Sequence, residues 1–277
     1  MLSRVKDGTA HEPPAFIAGP VRSGTTLLRW ILDSHPNVVS RSEQNFLTPV
    51  VATFNREFLD APVGEGFATQ KLAMLREQQD LNTPPNEIAR RFRRLHESFY
   101  HDLCTHCGKR RWADNTHSLL DYLIAALDVM YEQTPLYLIA TRHGLDAVLS
   151  AQEKFGGDIR KRLEYWCAVV DLHSAFLEAH PGRCLRVKYE ELVTDPQMTC
   201  DGIFSFLGEE PLGDIENAVF RADHGPYFGD HKIHRTREVH KLSVNRWQTV
   251  PPSHYRAAVD DCPQFNALML RLGYPPV

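Results

Sequence analysis

Long apolar runs are missing from this chain of 277 residues. No stretch approaches the roughly 20 apolar residues a membrane helix needs, so no membrane span is expected. Residues Met1–Pro14 are polar and lack the apolar segment of a signal peptide, and a cytoplasmic protein is the expectation. A basic excess is missing too: 31 Lys and Arg stand against 35 Asp and Glu, a net charge of -4. That balance argues against a nucleic-acid partner, although one local group of Arg and backbone N–H groups still suffices for an anionic ligand. The six cysteines lack a paired framework. Only Cys104 and Cys107 are close, and His101 and His106 beside them invite a zinc reading. A structural zinc site takes four ligands, usually from two separated pairs, and the second pair is missing. No metal is therefore expected, and the thiols read as ordinary ones in a reducing compartment. Internal repeats and low-complexity tracts are also absent. With 43% hydrophobic and 24% charged residues the composition is that of a globular protein, and the length suits one domain over 1–277.

What is present alternates between strand and helix. Ala15–Gly19 is a short apolar run after two prolines and reads as a buried strand; Thr26–Ser34 has helical spacing and is stopped by Pro36. From about 48 to 111 two helix-like stretches, Phe67–Gln79 and Glu87–Cys107, occur without an alternating strand. This part reads as a mainly helical insertion near an acceptor site. Further helices are expected over Ser118–Met130, Asp146–Lys154, Lys161–His180, Pro196–Leu207 and, last, Ala257–Leu272. Leu136–Thr141 and Cys184–Tyr189 read as strands, and Asp230–Arg246 as a basic, loop-rich tail. The alternation predicts a three-layer α/β/α fold around a central parallel sheet. Ligands in such sheets bind beyond the carboxyl ends of the strands. Arg22 and Arg142 each follow a predicted strand, which brings both to that edge.

Gly19-Pro-Val-Arg-Ser-Gly24-Thr-Thr26 has the G-x-x-x-x-G spacing of a P-loop, but Thr25 stands where a nucleotide kinase needs Lys. Such a loop still wraps N–H groups around an anion at a helix N-terminus. Its positive charge comes from Arg22, a fixed cation with several donors for phosphate or sulfate oxygens. No clear Walker B strand is visible. The implied chemistry is group transfer from a phospho-anhydride with no obligatory Mg²⁺.

Pro20-Val-Arg-Ser-Gly-Thr-Thr-Leu-Leu-Arg29, continuing into Leu32-Asp-Ser-His-Pro36, resembles the 5′-phosphosulfate loop of sulfotransferases that use 3′-phosphoadenosine 5′-phosphosulfate (PAPS). The resemblance is greatest to tyrosylprotein sulfotransferases and their bacterial relatives. Arg142-His-Gly-Leu-Asp146 with Ser150 is similar to the family's 3′-phosphate motif. Lys188-Tyr-Glu-Glu-Leu192, Asp195-Pro196, Phe206-Leu-Gly208, Val244-Asn-Arg-Trp247 and Leu272-Gly-Tyr-Pro275 follow in the family's order.

The resemblance implies that Arg22, Ser23, Gly24, Thr25 and Thr26 hold the 5′-phosphosulfate, Arg22 also stabilising the charge released on transfer. Arg142 and Ser150 would hold the 3′-phosphate, with Lys154 one helical turn beyond. Tyr189 matches a tyrosine near the adenosine, or is a half-buried strand residue. Arg246 matches a basic cofactor contact, and Trp247 beside it reads as core. Glu43, 21 residues after Arg22, matches the family's catalytic Glu and is the expected proton acceptor. Among histidines His117 is the first alternative and His143 the second. One departure stands out: in Trp112-Ala-Asp-Asn-Thr-His117, Asn115 replaces the family's cofactor-facing Lys. The expected activity is sulfuryl transfer from PAPS to a small-molecule hydroxyl. Its alternatives are a nucleotide-dependent phosphotransferase and a non-catalytic nucleotide-binding protein. No oligomeric state follows from the sequence.

Overall fold

The computed structural model describes residues 12–41, 48, 51–52, 85–224 and 238–277, with the backbone alone for 85–86, 88–89 and 118–119. The first half runs β1 (Ala15–Ala18), α1 (Thr25–Ser34), β2 (Val38–Val39), α2 (Pro85–Cys107), β3 (Arg111–Asp114) and α3 (His117–Met130). It continues with β4 (Leu136–Thr141), α4 (Gly144–Phe155), α5 (Ile159–Ala179), β5 (Cys184–Lys188) and α6 (Tyr189–Thr194). The chain ends with α7 (Pro196–Leu207), α8 (Ile215–Arg221), two 3₁₀ turns (Arg246–Thr249 and Pro252–His254), α9 (Arg256–Asp260) and α10 (Gln264–Arg271).

The strands form one parallel sheet in the order β2-β3-β1-β4-β5. β1 is buried on both faces, and its side chains alternate between two cores. Phe16 and Ala18 join Tyr137, Ile139 and residues of α2, α3 and α5 such as Tyr100, Ile124 and Phe176. Ala15 and Ile17 join Leu138, Ala140 and residues of α1, α7 and α8 such as Ile31, Phe204 and Val219. Burying a side chain such as Phe16 or Ile17 contributes roughly 1.5–3 kcal/mol. This is why AFIA and LYLIAT are apolar without interruption, and it makes the expected α/β/α sandwich the observed fold. The strand order reverses across β1, so the carboxyl ends of β3, β1 and β4 lie side by side.

Three expectations change. The stretch Ala257–Leu272 is not one helix but α9 and α10. Pro263 has no N–H to donate and disfavours a helical Cys262, so the chain breaks there. The 48–111 stretch, read as strand-free, ends at the first residue of β3; the short β2 was also not expected. α2 matches the expected Glu87–Cys107 helix and starts at Pro85, where a first-turn proline costs no hydrogen bond. The expected helix Phe67–Gln79 lies outside the described residues, as does 225–237 of the basic tail. The described cysteines are all free, and no described group of three His, Cys, Asp or Glu could hold a metal. No described helix is long and apolar enough to cross a membrane.

Candidate active site at the carboxyl edge of the sheet

The turn after β1 is shaped by backbone. Gly19 and Gly24 have φ of 149° and 90°. A Cβ on Gly19 would lie 2.5 Å from the Ala140 carbonyl oxygen, and one on Gly24 would lie 2.5 Å from the Tyr189 ring. Arg22 also has a positive φ, 71°, a strained choice for a non-glycine residue and one that clusters at ligand clamps. Ser23 N–H closes the turn onto the Pro20 carbonyl at 3.2 Å. α1 then follows Gly24, an N-cap residue that offers no side-chain cap, and its first turn has no acidic residue. The positive end of the helix and its N–H groups are thereby left for an anion. Ser23 is buried, and its Oγ has no hydrogen-bond partner among the described residues.

The turn after β4 is held by side chains. Arg142, 5% exposed, donates from Nη1 to the Arg22 carbonyl (2.9 Å) and from Nη2 to the Ser243 carbonyl (2.5 Å). Its guanidinium lies 4.7 Å from the centre of the Tyr189 ring. Burial lowers its pKa from the usual arginine range, and its Nε has no partner among the described residues. Arg22 Nε donates to Ser150 Oγ at 3.1 Å. The residues expected at the two ends of the cofactor therefore meet: Arg22, Ser23, Gly24, Arg142, Ser150 and Tyr189 form one constellation. Tyr189 opens α6 instead of ending β5, wedged between Gly24 and Arg142. Thr25 is buried and Thr26 half-buried. Lys154 is exposed on the last turn of α4, and Arg246 makes an exposed ion pair with Glu153 at 2.7 Å. No described contact ties either to Arg22 or Arg142. A cavity of about 260 Å³ adjoins this region, lined by Ser150, Arg246 and Trp247 among others.

The turn after β3 adds the third part. Buried Asp114 accepts hydrogen bonds from Thr116 N (3.2 Å) and Thr116 Oγ1 (3.0 Å). That fixes the step from β3 into α3 and sets Asn115 and His117 at the sheet edge. Asn115 is buried, and its Oδ1 has no partner among the described residues. His117 Nε2 is 3.1 Å from Thr25 Oγ1, in the loop after β1, and its Nδ1 is 3.8 Å from Asp121 Oδ1. Glu43 lies outside the described residues.

His143 points elsewhere. Its ring stacks on Trp247 at 4.9 Å and 7° and meets Tyr274 edge-on. Burial, with the nearby Arg142 charge, pulls its pKa down to about 4. Trp247 is half-buried against the cluster of α4, α5, α9 and α10, in line with a packing role, and its backbone N–H donates to Asp146 Oδ1 at 2.8 Å.

Sequence reasoning missed Asp121 and Tyr165. The Tyr165 hydroxyl accepts from Val21 N–H at 3.3 Å and donates to Asp121 Oδ2. The available signal was the four-residue spacing of His117 and Asp121, which puts both on one helical face.

A parallel sheet with a Gly-rich anion loop after its central strand, and an Arg–Ser pair delivered by the next strand and helix, defines a P-loop-like class of group-transfer fold. Within that class, residues 13–213 match the model of the Sulfotransferase family, and the chain belongs to that family. A sulfotransferase domain from the Synechococcus PCC 7002 olefin synthase has a similar structure, with a TM-score of 0.64 at 20% identity, covering 94% of this chain and 96% of that one. One from the curacin biosynthetic pathway aligns with a TM-score of 0.62 at 17% identity, over 97% and 100% of the two chains. Mouse sulfotransferase SULT7A1, solved in complex with PAP, aligns with a TM-score of 0.50 at 16% identity over 94% and 85%. At these identities the likeness speaks to the fold. No curated protein sequence matches the chain.

Proposed function

We propose that this sulfotransferase uses PAPS and transfers its sulfuryl group to the hydroxyl of a small-molecule acceptor, releasing adenosine 3′,5′-bisphosphate (PAP). The observation that carries the reading is the Arg22–Ser150 contact of 3.1 Å, because it joins the groups expected at the two phosphate ends. The residues suit a ligand with two anionic ends: Ser23 Oγ and Arg142 Nε are buried polar atoms beside the loop, without partners among the described residues. The PAP complex of the mouse enzyme supports the same cofactor.

PAPS supplies an activated sulfuryl group on a mixed anhydride. Arg22 and the first-turn N–H groups of α1 would balance the negative charge at its 5′ end, and Arg142 with Ser150 would hold the 3′-phosphate. Thr25, Thr26, Tyr189, Lys154 and Arg246 complete the expected cofactor set, and the 48–111 segment is proposed to shape the acceptor pocket. Two residues compete as proton acceptor. Glu43 is favoured by its position in the sequence, His117 by its distance from Thr25. We take His117 as the base on its 3.1 Å distance from Thr25 Oγ1, while Glu43, outside the described residues, keeps the role its sequence position suggests as the alternative.

Calorimetry with PAP tests the cofactor. Tight binding by the wild type, weakened in Ser150→Ala, is expected; a chain that binds magnesium ATP and not PAP would overturn the reading. For the base, His117→Asn should retain PAP binding and lose most PAPS turnover, whereas Glu43→Gln should leave turnover largely intact. The reverse pattern would return the role to Glu43.

A further inference from the structure

We propose that Asp121 is a positioning residue: it holds the ring proton of His117 on Nδ1, so that Nε2 faces the Gly19–Thr26 loop as the lone-pair nitrogen. This rests on the reading of His117 as the base and names what orients it.

Four observations converge. His117 and Asp121 are the first and fifth residues of α3, on one face, with His117 Nδ1 3.8 Å from Asp121 Oδ1. Asp121 is buried, yet this same Oδ1 has no hydrogen-bond partner among the described residues. A buried carboxylate oxygen without a donor is unfavourable, and a slight approach of the imidazole N–H satisfies it. The other oxygen, Oδ2, accepts the Tyr165 hydroxyl, so the carboxylate is pinned and does not rotate away. Tyr165 in turn accepts from Val21 N–H at 3.3 Å, which locks the same carboxylate to the anion loop. The chain Val21–Tyr165–Asp121–His117–Thr25 thus closes a ring that begins and ends in that loop.

The groups around His117 agree with this assignment. On α3, Asp121 is the nearby carboxylate. On α5, Tyr165 is kept protonated by burial, which raises its pKa, and so donates to Asp121. His173, also on α5, donates from Nε2 to the Leu120 carbonyl at 2.8 Å, and burial lowers its pKa so that it stays neutral. From α1 the neighbour is the Thr25 hydroxyl. With the proton on Nδ1, Nε2 accepts from Thr25 and can take a proton from an acceptor hydroxyl.

Substitution D121N separates orientation from bulk. An amide has one acceptor oxygen, which the Tyr165 hydroxyl claims, leaving its NH₂ group toward His117 Nδ1. The ring proton should then move to Nε2, the wrong tautomer for a base; an Asp-to-Asn change behind a catalytic histidine acts in this way in serine proteases. The experiment is ¹⁵N–¹H correlation spectroscopy of the imidazoles on the full chain, with His117 assigned by H117N. The wild type should show His117 as the Nδ1–H tautomer, with a pKa about one unit or more above that in D121N. D121N should show the Nε2–H tautomer, and adding Y165F to D121N should recover part of the Nδ1–H form. A wild-type Nε2–H tautomer, or a tautomer and pKa unchanged in D121N, would overturn the proposal.

PAP affinity by calorimetry serves as the folding control and should stay within about twofold in D121N. PAPS turnover keeps the two readings apart. If H117N retains turnover, His117 is not the base, whatever the spectra say. If H117N loses turnover and D121N does not, only the role of Asp121 fails. The proposal expects kcat to fall by about a hundredfold in D121N with KM for PAPS little changed. It also expects the double variant H117N/D121N to be no worse than H117N.

Discussion

α5, α7 and α8 each begin on an aspartate whose side chain accepts a first-turn N–H: Asp158 from Arg160 (2.8 Å), Asp195 from Met198 (3.2 Å) and Asp214 from Asn217 (3.1 Å). The helices that start at the carboxyl ends of β1, β3 and β4 do otherwise. α1, α3 and α4 begin on Gly24, Thr116 and His143, and none of these side chains caps its helix. A carboxylate at the N-cap satisfies orphan N–H groups and neutralises the positive helix end. At α5, α7 and α8 that end is quenched by the chain's own acid, although α9 and α10 also start without a side-chain cap. At α1, which has neither a side-chain cap nor a first-turn acid, it is left for a ligand to satisfy, and the helix forgoes about 1 kcal/mol of capping. α4 is intermediate, with Asp146 in its first turn and the His143 N–H taken by Glu190.

The sharpest way to break this contrast is to remove Arg22, the cation proposed to act with the open end of α1. Arg22→Ala should lower kcat/KM by a hundredfold or more, about 3 kcal/mol of transition-state stabilisation, measured as PAPS turnover. A tenfold loss or less would mean that the helix end alone handles the charge.

Next in size is acid sensitivity at the start of α4. His143 has a pKa of about 4 in the folded protein, against an ordinary value near 6.5. The unfolded chain therefore binds the extra proton between those values. The stabilisation is complete above about pH 6.5 and is lost as pH falls toward 4, at roughly 1.4 kcal/mol per pH unit. Buried His96 on α2 has the same sign and a similar pKa, about 4. Urea unfolding at pH 7.5 and pH 5 should show the loss, and His143→Phe should reduce the slope.

Gly24→Ala sharpens the comparison from the backbone side. A φ of 90° costs an alanine about 1–2 kcal/mol, and the new methyl meets the Tyr189 ring. PAP affinity and stability should both fall, and adding Tyr189→Ala should recover only the steric part. The smallest effect is expected at a distal cap: Asp195→Ala should cost about 1 kcal/mol in thermal or urea unfolding and leave PAP affinity unchanged. A change in PAP affinity there would erase the distinction between the two sets of helices.

The loop after β1 and the turn after β4 were legible because each follows an uninterrupted apolar run, and the glycines and Arg22 mark what comes next. β3 was not legible, for a physical reason. Its sequence, Arg-Trp-Ala-Asp, carries two charged residues that are buried because they are paired within the fold. Arg111 Nε donates to Glu209 (2.9 Å) and its Nη2 to the Leu207 carbonyl (2.7 Å), while Asp114 is taken up by Thr116. No hydrophobic pattern announces such a strand. Asp121 was hidden differently: on an amphipathic helix a carboxylate reads as solvated surface, and only the distant Tyr165 reveals that it is buried. Ser243 offered no signal at all, because its contribution to Arg142 is a backbone carbonyl.

Gly144 has a consequence for where this domain may be cut. A Cβ there would lie 2.5 Å from the Phe265 ring, and its N–H points to the Met269 sulfur at 3.3 Å. α10 therefore lies directly against the turn that carries Arg142, although the family match ends at residue 213. A boundary drawn from that match would keep every strand of the sheet and discard the helix packed behind the turn that carries Arg142. For anyone transplanting or trimming this enzyme, the functional unit reaches at least to α10.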